Sequence, residues 1–103
     1  MSLSERQAQF TKMVALLIQY ANLLDYSLTF GDAYSKVAFG VHSFNSKHYE
    51  RLAVDFNLFI DGVYQTSTEA HKPLGEYWKS LGGSWGGDFK NKDGNHYSLG
   101  EDR

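Results

Sequence analysis

Four residues in the second half of the chain have the types and spacing of a catalytic zinc site. Six residues separate His48 from Asp55 in SKHYERLAVD, and two residues separate Asp93 from His96 in KDGNH. Two histidines and one carboxylate suffice to hold a zinc ion that keeps a fourth position open to water. His48, Asp55 and His96 are therefore the predicted zinc ligands, and Asp93 is well placed to act as general base for that water.

Each of these residues also has an ordinary explanation when taken alone. A single histidine such as His48 in a polar loop is usually solvated, and Asp55 could line the solvent face of a half-exposed strand. The segment from Asp93 to His96 reads as a tight turn, because Asp, Gly and Asn favour turns. Burying an unpaired carboxylate in an apolar strand is costly, however, and a metal would offset that cost. The joint occurrence of the two pairs favours the metal site.

The composition excludes several classes of protein. The 103 residues suit one domain spanning residues 1–103, with one modest core. The chain has no cysteine, which excludes disulfide scaffolds, thiolate zinc fingers and cysteine nucleophiles. A net charge of −2 gives no electrostatic reason to expect a nucleic-acid partner. Polar residues interrupt the longest apolar stretch, residues 13–24, so no membrane insertion is expected. The first residues lack a basic lead and a cleavage site, which predicts synthesis in the cytoplasm without a signal peptide.

The first part of the chain predicts an amphipathic helix followed by a short strand. Ser4 and Gln7 can form a capping box where this helix begins. Apolar residues then recur at steps of three and four and form one face: Phe10, Met13, Val14, Leu17, Ile18, Ala21 and Leu24. A strand is predicted over residues 27–30, ending at Gly31 and Asp32, and residues 33–47 are predicted to be a loop.

The middle of the chain predicts a core strand and a hairpin. Residues 52–60 alternate, so that five apolar side chains share one face: Leu52, Val54, Phe56, Leu58 and Ile60. Asp55 lies on the opposite face of this strand. Asp61 and Gly62 then form a hairpin turn, and residues 63–65 form the return strand.

The last third predicts a second helix and a final strand. Thr66, Ser67 and Thr68 offer caps, Pro73 falls in the first turn, and Gly82-Gly83 ends the helix. Its apolar face consists of Leu74, Tyr77, Trp78 and Leu81. A glycine-rich turn, SWGGDF, and a short strand around residues 96–98 complete the chain. This order of elements predicts an α+β domain with helices on one side of a small antiparallel sheet.

Together these segments resemble the zinc peptidases that group lysostaphin-type enzymes, D-Ala-D-Ala peptidases and the hedgehog signalling domain. They are most similar to the D-Ala-D-Ala carboxypeptidase branch, which includes phage endolysins that cut the L-alanyl-D-glutamate bond of peptidoglycan. The family's Ser-x-His-x6-Asp motif appears from Ser46 to Asp55, and its later Asp/Glu-x2-His motif from Asp93 to His96. Its helix and Trp-Gly-Gly turn resemble residues 73–87. The resemblance covers residues 3–99 and implies a hedgehog/DD-peptidase-like fold with zinc as cofactor.

The sequence departs from this branch at one position. Its enzymes usually carry an arginine beside an aromatic residue, at the end of the strand before the first ligand, where it holds substrate and polarises the scissile carbonyl. Here Ser35 follows Tyr34. Lys36 or Arg51 could replace the arginine, although lysine lacks its planar, two-pronged geometry. Losing one such donor removes about 2.7–4 kcal/mol of transition-state stabilisation. The sequence therefore supports metal binding more strongly than a full catalytic rate.

Candidate substrate contacts are less specific than the metal ligands. They are Ser46, Lys36, Trp85 and Tyr97, of which the two aromatic residues would more commonly be packing. His71 is expected to have a structural or surface role. Nothing in the spacing of His42 argues for a metal ligand.

The resemblance implies a zinc metallopeptidase of the phage or prophage endolysin type, which cleaves the L-Ala-D-Glu bond of peptidoglycan stem peptides. Two alternatives stay open at this point: a D-Ala-D-Ala carboxypeptidase, and a weakly active or inactive cell-wall binding module that retains the fold. The expected partner is the peptidoglycan peptide, and the expected oligomeric state is a monomer. To act on the cell wall the protein would have to be released from the cytoplasm, with the help of a holin or by a similar route.

Overall fold

Two helices pack against a small antiparallel sheet in the computed structural model, which describes residues 1–32 and 50–100. Within these ranges the elements are, in chain order, α1 (Leu3–Leu23), β1 (Tyr26–Phe30), β2 (Ala53–Ile60), β3 (Val63–Gln65), α2 (Lys72–Ser80), β4 (Ser84–Trp85) and β5 (His96–Ser98). Short 3₁₀ turns at Glu69–His71 and Gly86–Asp88 precede α2 and follow β4. The predicted α+β class is confirmed. The predicted loop over residues 33–47 lies outside the described residues.

Helix α1 begins at a capping box formed by Ser2 and Glu5. The Ser2 Oγ accepts a hydrogen bond from the Glu5 backbone N–H (3.1 Å), and the Glu5 carboxylate accepts one from the Ser2 N–H (3.0 Å). The prediction of a capping box at Ser4 and Gln7 is therefore wrong. Two serine-led pairs with the same spacing overlap here, and the carboxylate satisfies the helix N-terminus better than the amide. Gln7 instead donates to the Glu50 carbonyl (2.8 Å).

Strand β2 is the centre of the sheet and its alternation is confirmed. The side chains of Leu52, Val54, Phe56 and Leu58 are at most 2% exposed. They share one core with the buried face of α1, which consists of Phe10, Met13, Leu17 and Ala21. The strand starts at Ala53, one residue later than predicted.

Both edges of β2 are hydrogen-bonded to other strands. Strand β1 pairs antiparallel with residues 56–60 on one edge. The other edge is divided, because β3 pairs with residues 58–60 and β5 with residues 53–55. The hairpin between β2 and β3 turns at Asp61 and Gly62, as predicted, and their φ angles of 52° and 78° match type I′ geometry.

Helix α2 follows a polar segment and a 3₁₀ turn, and its two ends carry a proline and a glycine. The prediction that Thr66, Ser67 or Thr68 caps this helix is wrong, because its N-cap residue is His71, which makes no side-chain cap hydrogen bond. The Ser67 Oγ instead accepts a hydrogen bond from the Ala70 N–H (3.2 Å) in the 3₁₀ turn that precedes α2. Pro73 lies in the first turn of α2 and Gly82, with φ of 97°, follows its end, as predicted.

The segment predicted to be only a glycine-rich turn contains a strand. Ser84–Trp85 forms β4 and pairs antiparallel with β5, with Trp85 opposite Tyr97. A two-residue strand has no alternation to reveal it, and it exists only because Ser84 and Trp85 pair with Ser98 and Tyr97 of β5. Among the described residues, no helix has the length and apolar character needed to cross a membrane.

Replacing Val54 by Asp should lower the free energy of unfolding by more than about 3 kcal/mol, because a charge would be buried at a position that is 2% exposed. The matched control is Val63→Asp, since Val63 is 61% exposed on the edge strand. Urea denaturation of both variants measures the difference. Equal stability of the two variants would show that the core face of β2 has been wrongly assigned.

Candidate metal centre

The centre of the candidate site is a cross-strand pair. Asp55 of β2 and His96 of β5 are direct partners in the antiparallel register, so their side chains project from the same face of the sheet. The His96 Nδ1 lies 3.4 Å from the Asp55 Oδ1. This face is opposite the apolar core, because Asp55 alternates with Val54 and Phe56 along the strand.

A tight turn brings a second carboxylate to this pair. The His96 backbone N–H donates to the Asp93 carbonyl (3.1 Å), which closes the predicted turn from Asp93 to His96. One potential ligand atom from each of Asp55, Asp93 and His96 lies within 4.8 Å of the others. The structure therefore brings together three of the four residues that the sequence predicted, and the fourth, His48, lies outside the described residues.

The pair Asp55 and His96 fits a zinc ion. Ligand atoms at zinc bond lengths and tetrahedral angles are separated by about 3.3–3.6 Å, and the observed separation between the two residues is 3.4 Å. Their side chains are only 16% and 5% exposed. Imidazole nitrogen and carboxylate oxygen are both common zinc ligands, and a cation between them would compensate the loss of hydration.

Burial distinguishes Asp93 from the other two residues. Asp93 is exposed, whereas His96 is buried. The Phe89 ring packs beside the His96 imidazole, with ring centroids 5.3 Å apart. The site thus has a shielded side, suited to holding a metal, and an open side at Asp93, suited to exchanging protons with water or substrate.

Gly86 holds the Asp93 turn against β5, a role that the sequence analysis missed. Its carbonyl accepts the Asp93 N–H (2.9 Å), and a Cβ at Gly86 would collide with the Asp93 carbonyl oxygen and lie 2.8 Å from the His96 Cβ. The Trp-Gly-Gly sequence was visible in advance, but only the fold shows which side of the site the first glycine contacts.

The structure corrects the assignment of Trp85 and Tyr97 as candidate substrate contacts. Their exposed fractions are 4% and 0%. The Trp85 Nε1 donates to the Gly94 carbonyl (2.7 Å), and its ring covers Gly75, where any Cβ would overlap it. Both side chains therefore support the site from within the core and do not reach a substrate. The other two candidates, Ser46 and Lys36, lie outside the described residues, as does His42.

His71 is a buried structural residue. Its Nδ1 lies 2.8 Å from the Tyr97 hydroxyl, and the side chain is 3% exposed. Burial lowers the pKa of His71 to about 4, because the charged imidazolium would lose its hydration. Burial also raises the pKa of the Tyr97 hydroxyl, so both groups are neutral near pH 7.

Arg51, one of the two residues considered as a replacement for the family arginine, lies beside a different surface. It lines an apolar groove of about 300 Å³ together with Phe10, Phe30 and Val54. The separate cleft that Asp93 lines does not include Arg51.

A comparison with protein families identifies this architecture. Residues 40–99 match the family described as D-alanyl-D-alanine carboxypeptidase. The chain belongs to this family. Its members are zinc-dependent peptidases that act on peptidoglycan, and the resemblance found in the sequence is confirmed. The match includes Asp55, Asp93 and His96.

Solved structures give the same fold. The chain superposes on the crystal structure of the L-Ala D-Glu endopeptidase ChiX of Serratia marcescens with a TM-score of 0.70 and 18% sequence identity. The alignment covers 88% of this chain and 77% of that chain. At this identity the likeness establishes the fold of the family. No curated protein matches the sequence.

The pKa of His71 predicts an acid-dependent loss of stability. An unfolded histidine has a pKa near 6.5 and the folded one about 4, so the unfolded chain binds more protons between these values. The stabilising contribution is present above pH 6.5 and is lost as the pH falls toward 4. Between pH 7 and 5 it should amount to about 1–2 kcal/mol.

Chemical denaturation of the wild-type protein and of His71→Gln at both pH values measures this contribution. The variant should lose less stability on acidification, because other titrating groups are common to the two proteins. An identical loss in both would contradict the buried neutral state of His71.

Proposed function

We propose that the chain is a zinc-dependent endopeptidase that cleaves the L-alanyl-D-glutamate bond of peptidoglycan stem peptides. The observation that carries this proposal is the group formed by Asp55, His96 and Asp93, set on the fold of a peptidoglycan peptidase family. The named activity of the Serratia endopeptidase supports the choice of bond. Action as a monomer on the cell wall, after release from the cytoplasm, is part of the same proposal.

The two most shielded residues of the site would hold the metal. Asp55 and His96 provide two ligands, and His48 is proposed as the third because it completes the family motif. Zinc held there supplies Lewis-acid polarisation and a nucleophilic water at neutral pH. The pairing of β2 with β5 fixes the orientation of Asp55 and His96, and the Phe89 ring limits the approach of water to the imidazole.

Asp93 is proposed as the general base. Its carboxylate lies close to both ligands yet is exposed, so it can exchange protons with a water molecule and a substrate. It would accept the proton of the attacking water and deliver it to the leaving amine. The turn that connects Asp93 to His96 keeps the base at a fixed distance from the metal position.

The cleft beside Asp93 favours an endopeptidase over a carboxypeptidase. It has a volume of about 210 Å³ and extends from Asp93 and Gly94 to Tyr64 and Gln65 at the end of β3. A carboxypeptidase releases one terminal residue, whereas an endopeptidase must accommodate a chain that continues. A cleft whose lining includes residues of β3 as well as Asp93 offers room beyond the base, which suits the second requirement.

The missing arginine supports the alternative of a binding module without turnover. Ser35 stands where the branch usually has an arginine, and the loss of one stabilising donor slows related reactions by about 10²–10³-fold. The placement of Asp93 argues for turnover, because a site that only binds has no use for an exposed carboxylate at this distance from the ligands.

Asp93→Asn should retain zinc and fold while losing cleavage by about 10²–10⁴-fold, because the amide cannot accept the proton of the water. Mass spectrometry of purified stem peptides after incubation with the zinc-loaded protein measures both the rate and the bond cut. Metal analysis on the same samples measures zinc.

Asp88→Asn is the matched control, since Asp88 is an exposed carboxylate nearby that pairs with Lys79 (2.8 Å). This control should cleave at the wild-type rate. Loss of zinc from Asp93→Asn would make Asp93 a ligand. Absence of cleavage by the wild-type protein from weakly acidic to weakly basic pH would favour the binding module.

A further inference from the structure

The cleft beside Asp93 has a polar wall made of consecutive hydroxyl residues. Thr66, Ser67 and Thr68 follow β3 and line the cleft together with Lys92 and Asp93. Hydroxyl groups both donate and accept hydrogen bonds, so this wall can bind an anionic or a neutral polar group. Nothing in the catalytic chemistry described above uses these residues.

Close backbone packing fixes this wall relative to the base. A Cβ at Gly94 would lie 2.6 Å from the Thr68 Cα and 2.9 Å from its Oγ1, so the turn that carries Asp93 rests directly on Thr68. The Trp85 Nε1 holds the same turn by donating to the Gly94 carbonyl (2.7 Å). A group bound at Thr68 therefore has a set distance from Asp93.

Lys92 supplies positive charge at the rim of the cleft. Its Nζ donates to the Gly87 carbonyl (3.2 Å), which orients the side chain and leaves further N–H donors for a ligand. Among the described residues that line the cleft, Lys92 is the cation and Asp93 the carboxylate, and His71 is neutral near pH 7. With Asp93 engaged in proton transfer, the rest of the cleft favours an anion.

We propose that Lys92 and the hydroxyl wall of Thr66, Ser67 and Thr68 form the subsite for the carboxylate of the residue that leaves with the new amine. This inference rests on the proposed function and names the recognition element within it. Asp93 returns its proton to the leaving amine, so the part of the substrate nearest Asp93 is the part after the scissile bond.

The chemistry of the leaving residue fits such a subsite. When the leaving residue is D-glutamate, one of its two carboxyl groups continues the peptide and the other is ionised unless it is amidated. A lysine ammonium and hydroxyl donors would bind the ionised group and lose most of that interaction with a neutral amide. The subsite therefore predicts discrimination between the acid and the amide forms of the same stem peptide.

The test compares two synthetic stem peptides that differ only in this group, one with the free D-glutamate carboxylate and one with the carboxamide. The zinc-loaded wild-type protein should cleave the acid form with a kcat/KM about three- to tenfold higher, the range of a partly exposed charge-assisted contact. Lys92→Met should remove the preference through KM with kcat unchanged. Lys90→Met, at an exposed lysine outside the cleft, should retain it.

Cleavage of both peptides at equal rates by the wild-type protein, or an undiminished preference in Lys92→Met, would overturn the subsite while the proposed function stands. Cleavage of neither peptide would overturn the proposed function instead. In that event, changes in backbone amide chemical shifts on adding each peptide test the subsite. Changes at Ser67, Thr68 and Lys92 with the acid peptide alone would support it. Equal changes with both peptides, or none with either, would overturn it.

Discussion

The register between β2 and β5 is the constraint on which the candidate site depends. Because Asp55 stands directly opposite His96, two residues that are distant in sequence face each other at a separation suited to a shared cation. The backbone around Asp55 is fixed on both sides: Gly31 donates to its carbonyl (2.7 Å), and the Phe56 N–H donates to the Asn95 carbonyl (2.9 Å). A slip of one residue would exchange the core and site faces of β2. The packing of Val54 and Phe56 against α1 opposes such a slip, so core burial and site geometry stabilise the same register.

The residues that position the site neither bind the metal nor transfer protons in the proposed mechanism. Trp85, Gly86 and Gly94 hold the Asp93 turn, and Tyr97 fixes β5 from the core side through its contact with His71. This division places His96 on one face of β5 and the buried Tyr97 ring on the other. The site is a small polar area on the face of the sheet opposite the one that packs against the two helices.

Much of this arrangement could be predicted from the sequence, because its signals are local. The alternation in β2, the Asp61-Gly62 turn, Pro73 in the first turn of α2, and the turn from Asp93 to His96 each follow from neighbouring residues. The predictions that were wrong, and the features that were missed, depend on residues distant in sequence or on two local patterns that are almost equally favourable. Strand β4 exists because it pairs with β5, and the roles of Trp85 and Tyr97 depend on which face of the sheet they occupy. The choice of Ser2 over Ser4 as the cap was decided by which partner is a carboxylate. The contact between Thr68 and Gly94, which shapes the cleft, leaves no pattern in the sequence at all.

Anomalous diffraction at the zinc absorption edge, from crystals of the zinc-loaded protein, tests the central claim most directly. The expected result is one peak per chain at bonding distance, about 2.0–2.2 Å, from the Asp55 carboxylate and from the His96 imidazole, with the Asp93 carboxylate nearby but farther away. A peak bonded to other residues, a peak that uses Asp93 in place of Asp55, or no peak at saturating zinc would contradict it.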